Sequence, residues 1–269
     1  MSRITDRLVE AKHRGGGFIP FVTAGDPDFA TSLAIIQKLA ELGADVIELG
    51  VPFSDPMADG PTIQRSSERS LKGGMTLAKV LTLAAEFRKQ SDVPLVLFSY
   101  FNPIMNYGLE RFTVEAAECG VDGVLLTDVI EDEAATIATR FDRVGIDLIS
   151  LVAPTTTDER LEAICGRARG FIYAVSRAGV TGARQDISNS AEDLVKRVRA
   201  FTDLPIAVGF GISTLGQVEE VCRFADSAVV GSAIVAEIER SISANDTIPI
   251  VDSFVRSILP QFAKTGAEN

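Results

Sequence analysis

The sequence contains a single histidine, His13, in 269 residues. It lies in a charged N-terminal segment, which excludes Ser-His-Asp hydrolysis, Cys-His nucleophilic chemistry and multi-histidine metal sites. Cysteine is almost as scarce: Cys119, Cys165 and Cys222 are far apart and form no Cys-x-x-Cys pair. That spacing suits neither a disulfide framework nor a thiolate zinc site, so no metal is expected and core packing is the expected role of all three. Basic residues are outnumbered, 26 Lys and Arg against 37 Asp and Glu, giving a net charge of -11. A broad surface for nucleic acid or an anionic membrane needs the opposite balance. Anionic small molecules stay admissible where backbone N–H groups bind them. No apolar run approaches the roughly 18 residues that cross a bilayer, and Met1 to Arg14 is mixed in charge with no apolar signal core, so the expected location is cytoplasmic. No Gly-x-Gly-x-x-Gly follows the first apolar strand, which weakens a dinucleotide-binding reading. No linker or low-complexity stretch divides the chain, and residues 1–269 are read as one domain. These absences leave carboxylates, hydroxyls and lysines to carry any chemistry.

What is present is a regular alternation of short apolar runs and amphipathic stretches. Strands are predicted at Phe18 to Thr23, Val46 to Leu49, Leu95 to Tyr100, Gly123 to Thr127, Leu148 to Val152, Phe171 to Val175, Ile206 to Phe210 and Ala228 to Gly231. Helical periodicity fills the gaps, at Ala30 to Leu42, Thr62 to Lys72, Leu77 to Phe87, Leu109 to Glu118, Asp132 to Arg143, Glu159 to Arg167, Ala191 to Phe201 and Leu215 to Phe224. A further helix is expected near Ile250 to Leu259, and an extra N-terminal one over Ile4 to Arg14. Thr156-x-x-Glu159 and Ser190-x-x-Asp193 are candidate helix caps. Leu42-Gly43-Ala44-Asp45, Cys119-Gly120-Val121-Asp122 and Val144-Gly145-Ile146-Asp147 echo one another, with Gly closing a helix and Asp preceding a strand. Pro94 and Pro205 occupy the same junction elsewhere. Eight strand–helix units in about 250 residues fit a closed (β/α)8 TIM barrel better than an open sheet.

Barrel enzymes place their catalytic groups at the C-terminal ends of strands. There Glu48 stands in an otherwise apolar strand, sharing a face with Val46 and Gly50. Burial disfavours the ionised form and raises the pKa, which suits a general acid/base near neutral pH. Asp59, in an Asp-Gly-Pro turn expected to be more open to water, is a candidate for the opposite protonation state. The structural alternatives are a buried Glu–Arg pair and an ordinary turn aspartate. Phe171, Tyr173 and Val175 share one face, as do Ile206, Val208 and Phe210, giving candidate aromatic walls. Gly179, Gly182, Gly209, Gly211 and Gly231 cluster after the last three strands, with Ser232 following. Glycine admits close backbone approach, and helix starts at Ser213 and near Ala233 would aim free N–H groups at an anion. The long Arg177 to Asn189 segment is a candidate lid.

Glu48-Leu49-Gly50-Val51-Pro52-Phe53-Ser54-Asp55-Pro56-Met57-Ala58-Asp59-Gly60-Pro61-Thr62-Ile63-Gln64 resembles the signature of the tryptophan synthase alpha chain family. Phe21-Val22-Thr23-Ala24-Gly25-Asp26-Pro27, Ser176-Arg177-Ala178-Gly179-Val180-Thr181-Gly182, Gly209-Phe210-Gly211-Ile212-Ser213 and Gly231-Ser232-Ala233-Ile234-Val235 extend the likeness over nearly the whole chain, in order. Pro103-Ile104-Met105 and Ala183-Arg184-Gln185-Asp186 depart from it. The resemblance implies a (β/α)8 barrel that cleaves indole-3-glycerol phosphate to indole and glyceraldehyde 3-phosphate with no cofactor in this chain. It implies that Glu48 shuttles protons and Asp59 stabilises charge near the indole nitrogen. Phe21, Leu125, Tyr173 and Phe210 then line the indole pocket, while Gly182, Gly211, Gly231 and Ser232 cradle phosphate. Thr181 is implied to close over Asp59. The implied partner is a pyridoxal-phosphate-dependent beta chain in an alpha2beta2 complex, contacted through Pro52, Asp55, Pro56 and the Asn102 to Asn106 loop. A lyase acting alone and a non-catalytic binding barrel are the other functional classes, and the presence of both acids counts against the last.

Overall fold

Eight parallel strands follow one another in sequence order and close on themselves, β8 pairing with β1. They are β1 (Gly17–Thr23), β2 (Ile47–Gly50), β3 (Leu95–Ser99), β4 (Gly123–Leu126), β5 (Asp147–Val152), β6 (Ile172–Val175), β7 (Ile206–Gly209) and β8 (Ser227–Val230). The computed structural model describes residues 2–129, 131–175, 184–209, 211–244 and 246–259. Its helices are α1 (Arg3–His13), α2 (Phe29–Glu41), α3 (Pro61–Lys72), α4 (Leu77–Arg88), α5 (Phe101–Tyr107) and α6 (Leu109–Glu118). The second half adds α7 (Glu131–Asp142), α8 (Asp158–Arg167), α9 (Arg184–Arg199), α10 (Leu215–Val221), α11 (Ser232–Ser241) and α12 (Thr247–Ile258). This is the expected (β/α)8 barrel, with α1 as the additional N-terminal helix.

The repeated tetrapeptides explain how helices hand over to strands. Gly43, Gly120 and Gly145 take φ of 92°, 77° and 78°, the left-handed conformation that ends a helix cheaply only at glycine. In the first two repeats the aspartate two residues on then reaches across to the neighbouring strand. Asp45 accepts the Phe18 N–H at 2.9 Å and Asp122 accepts that of Leu95 at 2.8 Å. Asp226, outside the repeat, does the same for Ile206 at 2.7 Å. Pro94 and Pro205 lie just ahead of β3 and β7 and offer their carbonyls to Ile47 and Ile172, where a missing N–H does no harm.

Strand alternation separates two cores. Ile19, Val46, Val96, Leu125, Ile149, Phe171, Ala207 and Val229 fill the barrel, and Ile4 and Leu8 of α1 join them. Burying these last two side chains contributes roughly 1.5–3 kcal/mol each. Basic residues of α1 meet the strand-start carboxylates, Arg3 with Asp122 at 3.3 Å, Arg7 with Asp45 at 3.5 Å and Lys12 with Asp226 at 2.9 Å. The helix therefore closes the end of the barrel opposite the strand C-termini. Ile47, Leu49 and Val124 face outward into the helical layer.

Several expectations are corrected. Ile206 and Val208 pack outward with α8 and α9, while Ala207 points inward, so the β7 face expected to form a wall belongs to the helical layer. The Asn102 to Asn106 segment is not a loop but lies in α5. Helix α9 starts at Arg184, so Ser190 is an interior residue rather than a cap, and Arg184 to Asn189 of the expected lid is helical. Thr157, not Thr156, caps α8; the Thr156 hydroxyl instead accepts the Ala153 N–H at 3.0 Å. Helix α10 starts at Leu215 behind the cap Thr214, and the Ser213 N–H is taken by Gln217 at 2.9 Å.

Candidate active site

Glu48 stands near the C-terminal end of β2, level with Phe21 of β1 and Val96 of β3. It is 1% exposed. Among the described residues its Oε1 finds no hydrogen-bond partner and no basic side chain offsets its charge. Among the described residues it therefore forms no buried Glu–Arg pair. Removal from water alone pushes its pKa up to about 8, so the side chain is a neutral acid at pH 7. Burial, reinforced by the nearby Glu48 charge, likewise keeps the Tyr173 hydroxyl protonated well above its ordinary range.

Asp59 sits in the loop between β2 and α3, half-buried rather than open to water as the turn sequence suggested. Burial raises its pKa to about 6, against the lowering effect of the Tyr100 hydroxyl, which donates to Oδ2 at 3.2 Å. Two acids in one cavity thus lie on either side of neutrality, Glu48 protonated and Asp59 largely ionised. That separation fits one group for proton donation and one for holding positive charge. Gln64 fixes the loop by donating to the Asp59 carbonyl at 2.9 Å.

Both acids face a cavity of about 570 Å³ at the C-terminal mouth of the barrel. One part of its lining is apolar: Phe21, Phe98, Leu151, Tyr173 and Val175. Phe21 and Phe98 meet edge-to-face at 5.5 Å and 80°, an arrangement worth about 0.5–1.5 kcal/mol beyond area burial. Glycine makes room for two of these rings. A Cβ on Gly50 would stand 2.6 Å from the Phe21 ring, and one on Gly209 would stand 2.1 Å from the Tyr173 oxygen. Gly211, Gly231 and Ser232 form another part of the lining, with Gly231 as the N-cap of α11 and no side chain capping its first turn. Those open N–H groups suit an anion, and no Lys or Arg is among the lining residues described.

Most of the expected site converges here. Glu48, Asp59, Phe21, Tyr173, Gly211, Gly231 and Ser232 all line the cavity. Leu125 does not: it is fully buried in the barrel core, and Thr127, two residues along the same strand face, lines the cavity instead. Phe210, Thr181 and Gly182 lie outside the described residues. Of the expected docking residues, Asp55 and Asn102 are exposed and Pro56 is partly so, but Pro52 is buried and offers no surface. Met57 and Met105, 92% and 61% exposed, extend that face. Sequence reasoning missed Phe98 and Thr127, although alternation from Val96 and Leu125 points to both. Nothing local signals Tyr100.

A parallel barrel whose mouth joins a neutral glutamic acid, an ionised aspartate, an aromatic wall and an open helix N-terminus defines an acid/base enzyme for a substrate that is aromatic at one end and anionic at the other. The family model for the tryptophan synthase alpha chain matches residues 8–255. A tryptophan synthase alpha chain from Geobacter sulfurreducens is 50% identical over 245 residues, covering 91% of this chain and 93% of its own. The solved tryptophan synthase subunit alpha of Legionella pneumophila superposes with a TM-score of 0.89 at 34% identity, covering 99% of both chains. A chain from the tryptophan synthase a2b2 complex of Pyrococcus furiosus, a structure concerned with mutual activation, gives 0.84 at 40% identity over 90% of this chain and 97% of that one. The chain belongs to the tryptophan synthase alpha chain family, whose role is the cleavage of indole-3-glycerol phosphate in tryptophan biosynthesis.

Proposed function

We propose that this chain is the lyase that splits indole-3-glycerol phosphate into indole and glyceraldehyde 3-phosphate. The observation that carries the reading is the pair of acids poised on opposite sides of neutrality in one cavity. The neutral Glu48 donates its proton to indole C3, generating an indolenine with positive charge at N1. The ionised Asp59, at that N–H, stabilises the charge electrostatically. The Glu48 carboxylate then removes the proton of the adjacent glycerol hydroxyl as the carbon–carbon bond breaks and the aldehyde forms. The acid is regenerated and no net proton is consumed. Phe21, Phe98 and Tyr173 hold the indole, and the N–H groups at Gly211, Gly231 and Ser232 hold the phosphate.

This chain needs no cofactor of its own in that reaction. Its partner is the beta chain, which carries pyridoxal phosphate and joins indole to serine in an alpha2beta2 assembly. The exposed Asp55, Met57, Asn102 and Met105 flank the mouth of the cavity and suit docking beside the point where indole leaves. The test is indole release from indole-3-glycerol phosphate by the purified chain, with and without the beta chain. Slow release that the beta chain accelerates is expected. Equal release in both cases makes the chain a lyase that works alone, and no release in either makes it a binding barrel.

A further inference from the structure

Asp59 lies on a loop that contains neither strand nor helix, yet its carboxylate must be placed to within a fraction of an ångström of the charge it stabilises. Its backbone is held by the Asp59 N–H to Pro56 carbonyl bond at 3.1 Å and by Gln64. Its carboxylate has one hydrogen bond among the described residues, from Tyr100. The Tyr100 hydroxyl also accepts the Ala58 N–H at 2.8 Å, so a single oxygen grips two consecutive residues of the loop. Tyr100 is itself immobilised. It is 6% exposed, it follows directly on β3, and the next residue, Phe101, donates its N–H to Asp128 at 2.8 Å.

The position of Tyr100 joins it to more than Asp59. Its ring packs on Phe53 at 5.2 Å, within the Pro52 to Pro56 segment. Its backbone is the N-cap of α5, the helix that carries the exposed Asn102 and Met105. Both surface segments proposed for the partner therefore converge on one residue, one through its ring and the other through its backbone, and the hydroxyl of that residue holds Asp59.

We propose that Tyr100 is the positioning residue for Asp59 and transmits beta-chain docking, through Phe53 and α5, to the placement of that carboxylate. The proposal rests on the lyase reading above. A protein pressing on either segment shifts the ring, and the hydroxyl carries Asp59 with it. Misplacement by about 1 Å can lower a rate by roughly 100-fold, so a coupling of this kind needs only a small movement. The effect falls on turnover rather than on substrate binding, because the developing charge at N1 exists only along the reaction path.

The test uses Tyr100→Phe, which keeps the ring on Phe53 and removes only the hydroxyl. With the cognate beta chain absent, kcat for indole release is expected to fall on the order of tenfold, the loss expected for one hydrogen bond to a charged group, with KM within about twofold. The Asp59 carboxyl, followed by carbon NMR, is expected to titrate at higher pH than in the wild-type chain, since the Tyr100 bond that lowers its pKa is gone. At saturating beta chain, the fold-stimulation of indole release is expected to shrink in Tyr100→Phe and in Phe53→Leu. An unshifted Asp59 titration with kcat within twofold of wild type overturns the positioning role. A lowered kcat with undiminished stimulation in both variants overturns the coupling. The NMR titration needs no turnover, so a wild-type chain that released no indole would contradict the lyase reading while leaving the Tyr100–Asp59 contact testable.

Discussion

At Glu48 one cause, removal from water, sets both the chemistry and a stability penalty. Its folded-state pKa of about 8 lies above the ordinary value of 4.5, so below pH 4.5 the group is neutral in both states and has no effect. Between about 4.5 and 8 the unfolded chain ionises and the folded one cannot, so stability falls as pH rises. At roughly 1.4 kcal/mol per pKa unit the penalty is on the order of a few kcal/mol. Glu48→Gln should therefore be more resistant to urea than wild type at pH 8.5 and equal to it near pH 4; equal midpoints at both would contradict the buried-acid assignment. The same two groups set the rate. Asp59 acts ionised and Glu48 acts as an acid, so kcat/KM should rise through about pH 6 and fall through about pH 8, and a flat profile over that range would exclude the pair. Glu48 was legible in the sequence because an acid inside an apolar strand stands out. Tyr100 was not, because its contact with Asp59 spans 41 positions and leaves no local pattern.

At the scale of elements, α3 and α11 frame the site, one following Asp59 and the other beginning at Ser232. Arg69 ties them together: it binds Asp26 through two bonds of 2.8 and 2.9 Å and Glu239 of α11 at 2.6 Å. Asp26 is 1% exposed, so deleting its partner strands a buried carboxylate. Arg69→Leu should cost roughly 3–5 kcal/mol in denaturant titrations, and a loss under about 1 kcal/mol would show that the pair is solvated in solution. For α11, inorganic phosphate should slow hydrogen exchange of the Ser232 to Ile234 amides. Protection elsewhere, or none, would move the anion site away from this helix. The strands were readable because each is a short apolar run bounded by Gly, Pro or Asp. Helix α5 was not, since seven residues with Pro103 in the first turn read as a loop. The start of α9 was missed because Arg184 to Ser190 has no apolar periodicity. Leu125, given to the pocket by the family resemblance, sits one layer deeper in the barrel than Thr127, which lies on the same strand face and lines the cavity.

For the whole molecule, the barrel separates stability from chemistry by end. Helix α1 and the aspartates Asp45, Asp122 and Asp226 secure the strand starts, while both acids and the anion cradle gather at the opposite mouth. The surface proposed for the beta chain adjoins that mouth, so Asp55→Ala and Asn102→Ala should weaken beta-chain capture and lower the coupled rate; unchanged binding and activation in both would place docking elsewhere. Everything proposed for the site depends on Glu48 moving protons. The most direct test is the initial rate of indole release by Glu48→Gln, with its fold checked by circular dichroism. Proton shuttling by Glu48 predicts a loss of about 100-fold or more, and a variant that kept more than about a tenth of wild-type turnover would contradict it.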